Sequence, residues 1–245
     1  IILEGTPEGD DLYKVFINKD GIRVEKDNSL KMLTNYDLVE LLRKQYGDKI
    51  TCISIGPAGE MKLCAASVAI TDIEGRPSRH AGRGGVGAVM GAKGVKVVIL
   101  DDTGLKNREP KDPEKFRAAN KKFVEGLTTH AVTGQALPAY GTNVLTNIIN
   151  EAGGYPTYNF RDGQFAGASK ISGETFADLE TKRGGNATHP CHRGCVIRCS
   201  GTYVDKDGHF VSKQPEYETV WAHGGNCGIS DPDAIAQIDF LDDTI

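Results

Sequence analysis

Three cysteines fall within nine residues, Cys191-His-Arg-Gly-Cys195-Val-Ile-Arg-Cys199, and no other feature limits the chain's architecture as strongly. Thiols avoid such crowding unless they serve a common centre, and Pro190, Gly194 and Gly201 give the segment the freedom to fold around one point. Soft thiolates select zinc, copper(I) or iron–sulfur clusters. Zinc asks for pairs two to four residues apart and a fourth ligand, which His189 or His192 can supply. A cube held by three local cysteines and one distant one fits the spacing best, and three inert packing thiols form the bland alternative. Cys52, Cys64 and Cys227 stand singly in apolar or glycine-rich settings and read as packing residues. The six cysteines do not form a secreted disulfide framework.

The rest of the composition narrows the classes. With 29 Lys and Arg against 33 Asp and Glu, the net charge is -4 and no basic stripe marks a nucleic-acid partner. No run of about 18 apolar residues occurs, which argues against a membrane role. The opening Ile1-Ile2-Leu3-Glu4 lacks the charged and apolar regions of a signal peptide, so a cytoplasmic location is expected. Both termini read as if cut from something longer, and the chain is expected to be a fragment. There are 30 glycines, roughly 12% against an average near 7%, as expected where backbone turns tightly or approaches a ligand.

Periodicity predicts an α+β fold. Residues 11–18 and 22–25 around Lys19-Asp20-Gly21 make a hairpin. Thr34-Asn35 caps a helix to Tyr46 with Leu38, Leu41 and Leu42 on one face. Residues 50–55, 61–70 and 95–100 are apolar runs, with 71–79 a loop between them. After the charged, proline-containing stretch 106–113 the chain turns helical, over 114–132, 143–151 and 231–243, with a small hairpin in 202–213. The expected domains are 1–108, a β-rich cofactor base, and 109–245, the start of a helical domain carrying the thiol loop.

Two more constellations bear on chemistry. In Arg79-His-Ala-Gly-Arg-Gly-Gly-Val-Gly87, the glycines at 82, 84 and 87 spell a dinucleotide fingerprint. A nicotinamide-dependent dehydrogenase requires that turn to follow a parallel strand. The more general reading is an anion site made of backbone N–H groups beside Arg79 and Arg83, with glycines that only serve close packing as the alternative. In Pro215-Glu-Tyr-Glu218, either carboxylate could act as acid or base, or both could simply occupy a helix start where acids are favourable.

Taken in order, Gly56-Pro-Ala-Gly-Glu60, Ala81 to Gly91, Tyr140-Gly-Thr142 with Asn147-Ile-Ile-Asn-Glu151, the thiol loop and Pro215-Glu-Tyr-Glu218 resemble the aldehyde:ferredoxin oxidoreductases. The resemblance runs over nearly the whole chain. It implies a tungsten or molybdenum bis-pyranopterin beside a [4Fe–4S] cluster, with magnesium bridging the pterin phosphates. It further implies aldehyde or acid as substrate, ferredoxin or a similar carrier as electron acceptor, and a homodimer. Cys191, Cys195 and Cys199 match the three clustered cluster ligands. Arg79, His80, Gly82, Arg83, Gly84 and Gly85 match the pterin phosphate site, where His80 contributes its backbone. Glu218 matches the carboxylate beside the metal, expected to be buried and to shuttle the proton, with Glu216 mattering much less. The thiols are spaced Cys-x3-Cys-x3-Cys where the family has Cys-x2-Cys-x3-Cys. The tail reads Leu241-Asp242-Asp243-Thr244-Ile245 where the family carries Cys-Asp-x-x-Gly-Leu-Asp-Thr-Ile. A non-enzymatic zinc module is the alternative from a different class.

Overall fold

The computed structural model describes all 245 residues, which group into two compact units: residues 1–107 with 241–245, and residues 108–240.

In the first unit the predicted hairpin forms β1 (Tyr13–Asn18) and β2 (Gly21–Lys26), turning at Lys19-Asp20. Thr34 caps α1 (Asn35–Tyr46) by accepting the Asp37 N–H at 3.2 Å. The chain continues through β3 (Thr51–Ser54), the single turn α2 (Pro57–Glu60), β4 (Val68–Ile70), β5 (Arg79–Ala81), α3 (Val86–Ala92) and β6 (Val95–Leu100). Six strands order as β2-β1-β6-β3-β4-β5, with β1 and β6 parallel and the other pairs antiparallel. The apolar run 61–70 yields only a three-residue strand, because Lys62 takes left-handed backbone at φ 59° and leaves Met61 and Leu63 exposed.

The core is set by β6. Its pairing with β1 skips from Tyr13↔Val95 to Lys14↔Val97, so Lys96 is an extra residue in the ladder. That shift sends Val97 and Ile99 toward Leu38, Val39 and Leu42 of α1, while Val95 and Val98 pack with Val15 on the other side. Lys96, fully buried, is paid for by the Glu60 carboxylate and by the Leu33 carbonyl at 2.8 Å. The α1 stripe also differs from expectation: Val39 is buried and Leu41 exposed, because the inward face is centred on 35, 38, 39 and 42.

The second unit holds α4 (Pro113–Thr129), α5 (Leu137–Tyr140), α6 (Leu145–Glu151), α7 (Gly173–Arg183), β7 (Asn186–His189), β8 (Ser200–Val204), β9 (Phe210–Lys213), α8 (Tyr217–Thr219) and α9 (Pro232–Thr244), whose last residues from Leu241 group with the first unit. The three strands form an antiparallel sheet in sequence order. Tyr155, Phe176, Tyr203, Val220 and Ile235 build its core, and Arg183 is held by Asp233 and by the Tyr203 hydroxyl at 2.9 Å. No helix is long and apolar enough to cross a membrane.

Candidate functional site

The glycine-rich segment lies in the first unit. The Asp72 carboxylate organises the loop before it, accepting from the N–H groups of Glu74 and Arg76, the Arg76 guanidinium and the Ser78 hydroxyl. Half-buried Arg79 then opens β5, while Ala81 to Gly84, including Arg83, are exposed. Gly84 and Gly85 take left-handed backbone at φ 85° and 65°. A Cβ on Gly85 would lie 2.5 Å from the Cys64 carbonyl, and one on Gly87 would lie 2.2 Å from the Ser67 carbonyl. Close backbone approach therefore demands glycine at both. Because β5 pairs antiparallel with β4 at the sheet margin, the turn is not the strand-to-helix turn of a parallel βαβ unit. The nicotinamide reading fails on that topology.

The His80 side chain, to which no role was given, is tightly engaged. Its Nδ1 stands 2.6 Å from Ser67 Oγ, and its Nε2 stands 3.1 Å from both Asp243 Oδ1 and the Pro77 carbonyl. Neither Ser67 nor Asp243 carries a local signal, since partners 13 and 163 residues away meet only in the folded chain.

In the second unit β7 leads into the thiol loop and β8 leads out, paired at His189↔Ser200. All three thiols thus sit in the loop of one hairpin. Arg198 pins its waist, its guanidinium reaching the Thr188 carbonyl at 3.4 Å while its own carbonyl accepts from Thr188 Oγ1 at 3.4 Å. Donor atoms of Cys191, His192 and Cys195 all lie within 4.8 Å of one another, a set that does not include Cys199. Cys195 Sγ accepts the Arg198 N–H at 3.4 Å. Burial pushes the Cys195 thiol up, but hydrogen bonds from the Arg198 and Ile197 backbone and from Cys191 outweigh it and leave the group below its ordinary value. Cys199 moves the other way, raised by burial and by the nearby Glu216 and Cys195. Of the other cysteines only Cys52 is a packing residue, its thiol pushed up to about 12 by burial; Cys64 and Cys227 are exposed.

The two carboxylates after β9 divide differently from expectation. Glu216 is clamped, accepting from Thr142 Oγ1 at 2.7 Å and from Ser200 Oγ at 3.3 Å, so it grips the residue next to Cys199. Asn143 supports it through the Pro215 carbonyl at 2.6 Å. Glu218, on the first turn of α8, is exposed. Between Gly141 and Gly201 lies the buried Gln214 amide, 2.4 Å from where a Cβ on Gly201 would stand.

Comparison with known proteins matches both halves of the chain to the domains of one family of longer proteins. The sequence pattern described as "Aldehyde ferredoxin oxidoreductase, N-terminal domain" matches residues 1–102, and that for "domains 2 & 3" of the same proteins matches residues 118–245. The chain belongs to the aldehyde ferredoxin oxidoreductase family. The tungsten-containing aldehyde ferredoxin oxidoreductase of Pyrococcus horikoshii is 37% identical over 245 residues, 99% of this chain and 38% of that protein. The one from Thermococcus kodakarensis is 36% identical over 238 residues, 97% of this chain and 37% of that protein. The chain therefore spans under two fifths of the length of these relatives. The BamBC active-site complex of benzoyl-coenzyme A reductase, solved with 1,5-dienoyl-CoA, shares the fold at a TM-score of 0.68 and 19% identity, over 94% of this chain and 35% of that one.

Proposed function

We propose that the whole protein is a cytoplasmic oxidoreductase that interconverts aldehydes and carboxylic acids and passes electrons singly to ferredoxin or a similar carrier. The observation that carries this reading is the thiol hairpin, in a chain whose two halves both match the family. Its donors suit the implied [4Fe–4S] cluster: three soft sulfurs, one already favoured as thiolate by amide hydrogen bonds. The left-handed glycines 84 and 85, five and six residues after Arg79, likewise suit phosphate oxygens of a tungsten or molybdenum bis-pyranopterin, with magnesium between them. When bound, these groups supply the two-electron chemistry at the aldehyde carbon and the one-electron exit.

This chain's own residues hold and orient. Cys191, Cys195 and Cys199 ligate the cluster, and Glu216, through Ser200, fixes the strand that leaves the last of them. Arg79 and the backbone of His80, Gly82, Arg83, Gly84 and Gly85 hold the phosphates. The Glu218 carboxylate takes up and releases the substrate proton. Metal analysis of the whole protein purified without oxygen tests the reading: tungsten or molybdenum together with iron supports it, whereas zinc alone or no metal overturns it.

A further inference from the structure

We propose that Phe160 and Trp221 form an aromatic wall that seats the aryl group of an aromatic aldehyde beside Glu218, and so select such aldehydes over short aliphatic ones. The inference names the substrate class of the oxidoreductase proposed above and rests on that reading.

The backbone carries the first observation. Six non-glycine residues take left-handed backbone, and three of them are consecutive: Tyr158, Asn159 and Phe160, at φ 47°, 57° and 62°. Bulky side chains resist this conformation, so a run of three has to be held by its surroundings. Thr157 and Asp162 close the loop by exchanging backbone hydrogen bonds at 3.0 and 3.1 Å. Within it, the Tyr158 and Asn159 N–H groups donate to the Gly225 and Asn226 carbonyls at 2.9 and 2.8 Å, and the Phe160 N–H donates to Asn226 Oδ1 at 3.1 Å. Strain held in place this way gathers at ligand-binding segments.

The side chains show what the strained turn presents. Tyr158 packs back against Phe165, ring centroids 6.1 Å apart, with the Arg161 guanidinium over its ring at 4.9 Å. Phe160 instead stays 67% accessible and meets Trp221 at 5.9 Å and an interplanar angle of 67°. Burial of Phe160 therefore cannot be what offsets the strain. An edge-to-face pair open on one side accepts a third ring in the same manner.

The position of Trp221 ties this pair to the candidate chemistry. It opens a widened turn in which the Asn226 N–H reaches the Trp221 carbonyl five residues back at 2.9 Å, a geometry that recurs at functional sites. Trp221 also follows exposed Glu218 by three residues, one helical turn along, so the two side chains leave the helix on the same side. An aryl ring against the pair lies next to the turn that carries the carboxylate, whereas a two-carbon chain leaves the pair uncovered.

The experiment compares benzaldehyde with acetaldehyde as substrates of the whole, metal-loaded protein. Phe160→Ala is expected to lower the ratio of their kcat/KM values roughly tenfold, through the KM for benzaldehyde. Phe160→Tyr, which keeps the ring, and Phe123→Ala, on exposed α4, are expected to preserve the ratio. A second readout needs no turnover and covers the event that Phe160→Ala does not fold. Trp221 is the single tryptophan of this chain, and in whole protein labelled with fluorotryptophan the resonance lost in Trp221→Phe identifies it. Benzyl alcohol is expected to shift that fluorine resonance, and ethanol at the same concentration is not. Benzaldehyde and acetaldehyde rates that fall together in Phe160→Ala, an unchanged ratio, or a Trp221 resonance that benzyl alcohol does not move overturns the proposal. If the loaded protein oxidises no aldehyde at all, the oxidoreductase reading falls, and the fluorine resonance still decides whether the wall seats an aryl group.

Discussion

His80 has both acceptors, the Asp243 carboxylate and the Pro77 carbonyl, on Nε2. Nε2 therefore carries a proton, and Nδ1 is left to meet the Ser67 hydroxyl. Nitrogen-15 NMR of labelled histidine is expected to show a proton on His80 Nε2, with the Nδ1 signal shifted by Ser67→Ala and not by Ser29→Ala. Glu180 is the second residue whose state the fold dictates. Fully buried, with no hydrogen-bond partner for either carboxylate oxygen, it is pushed by desolvation from 4.5 up to about 8. Its neutral form is tolerated, so its contribution to stability is present in full below pH 4.5. Between 4.5 and about 8 the unfolded chain ionises and the folded chain does not, and stability falls by up to about 1.4 kcal/mol per pH unit. Urea midpoints at pH 5 and pH 8 are expected to converge in Glu180→Gln.

Among elements, the packing of α3 is the most exacting. A Cβ on Gly91 would stand 1.9 Å from the Gly59 carbonyl oxygen, backbone that cannot step aside, whereas one on Gly126 of α4 meets nothing within 4 Å. Gly91→Ala is expected to destabilise by at least about 2 kcal/mol, and Gly126→Ala to stabilise by up to about 1 kcal/mol; urea unfolding of both reads the contrast. The same distinction separates what was legible. Local signals announced the first hairpin and the Thr34 cap, because turn and capping chemistry acts over a few residues. Nothing local announced α7, whose inward residues are only Gly173, Phe176 and Glu180, nor the antiparallel setting of β5, fixed by pairing with β4. The thiol hairpin was visible as spacing, but the grip of Glu216 on Thr142 and Ser200 spans 74 and 16 residues and exists only in the fold.

At the scale of the whole protein, the two carboxylates flanking Tyr217 are expected to separate chemistry from architecture. Glu218→Gln should retain iron and tungsten or molybdenum but lose on the order of 10²–10⁴ in aldehyde oxidation rate. Glu216→Gln, which keeps an acceptor oxygen, should do much less, while Glu216→Ala should lower iron content by removing the carboxylate that accepts from Thr142 and Ser200. Equal rates for Glu218→Gln and the parent protein, with metals retained, would leave Glu218 as a helix-start carboxylate. The sheet margin at β2 bears on a different property. All six of its residues are exposed, and Ile22 and Val24 are 66% and 61% accessible, yet Arg23, Glu25 and Lys26 alternate with them and Lys26 is tied to Asp11 at 2.6 Å. Such charges keep an open strand from templating another molecule. The colloidal behaviour of concentrated protein thus hangs on a few charged groups at one margin, and added salt, by screening them, would favour edge-to-edge stacking into fibrous precipitate while the core stays intact.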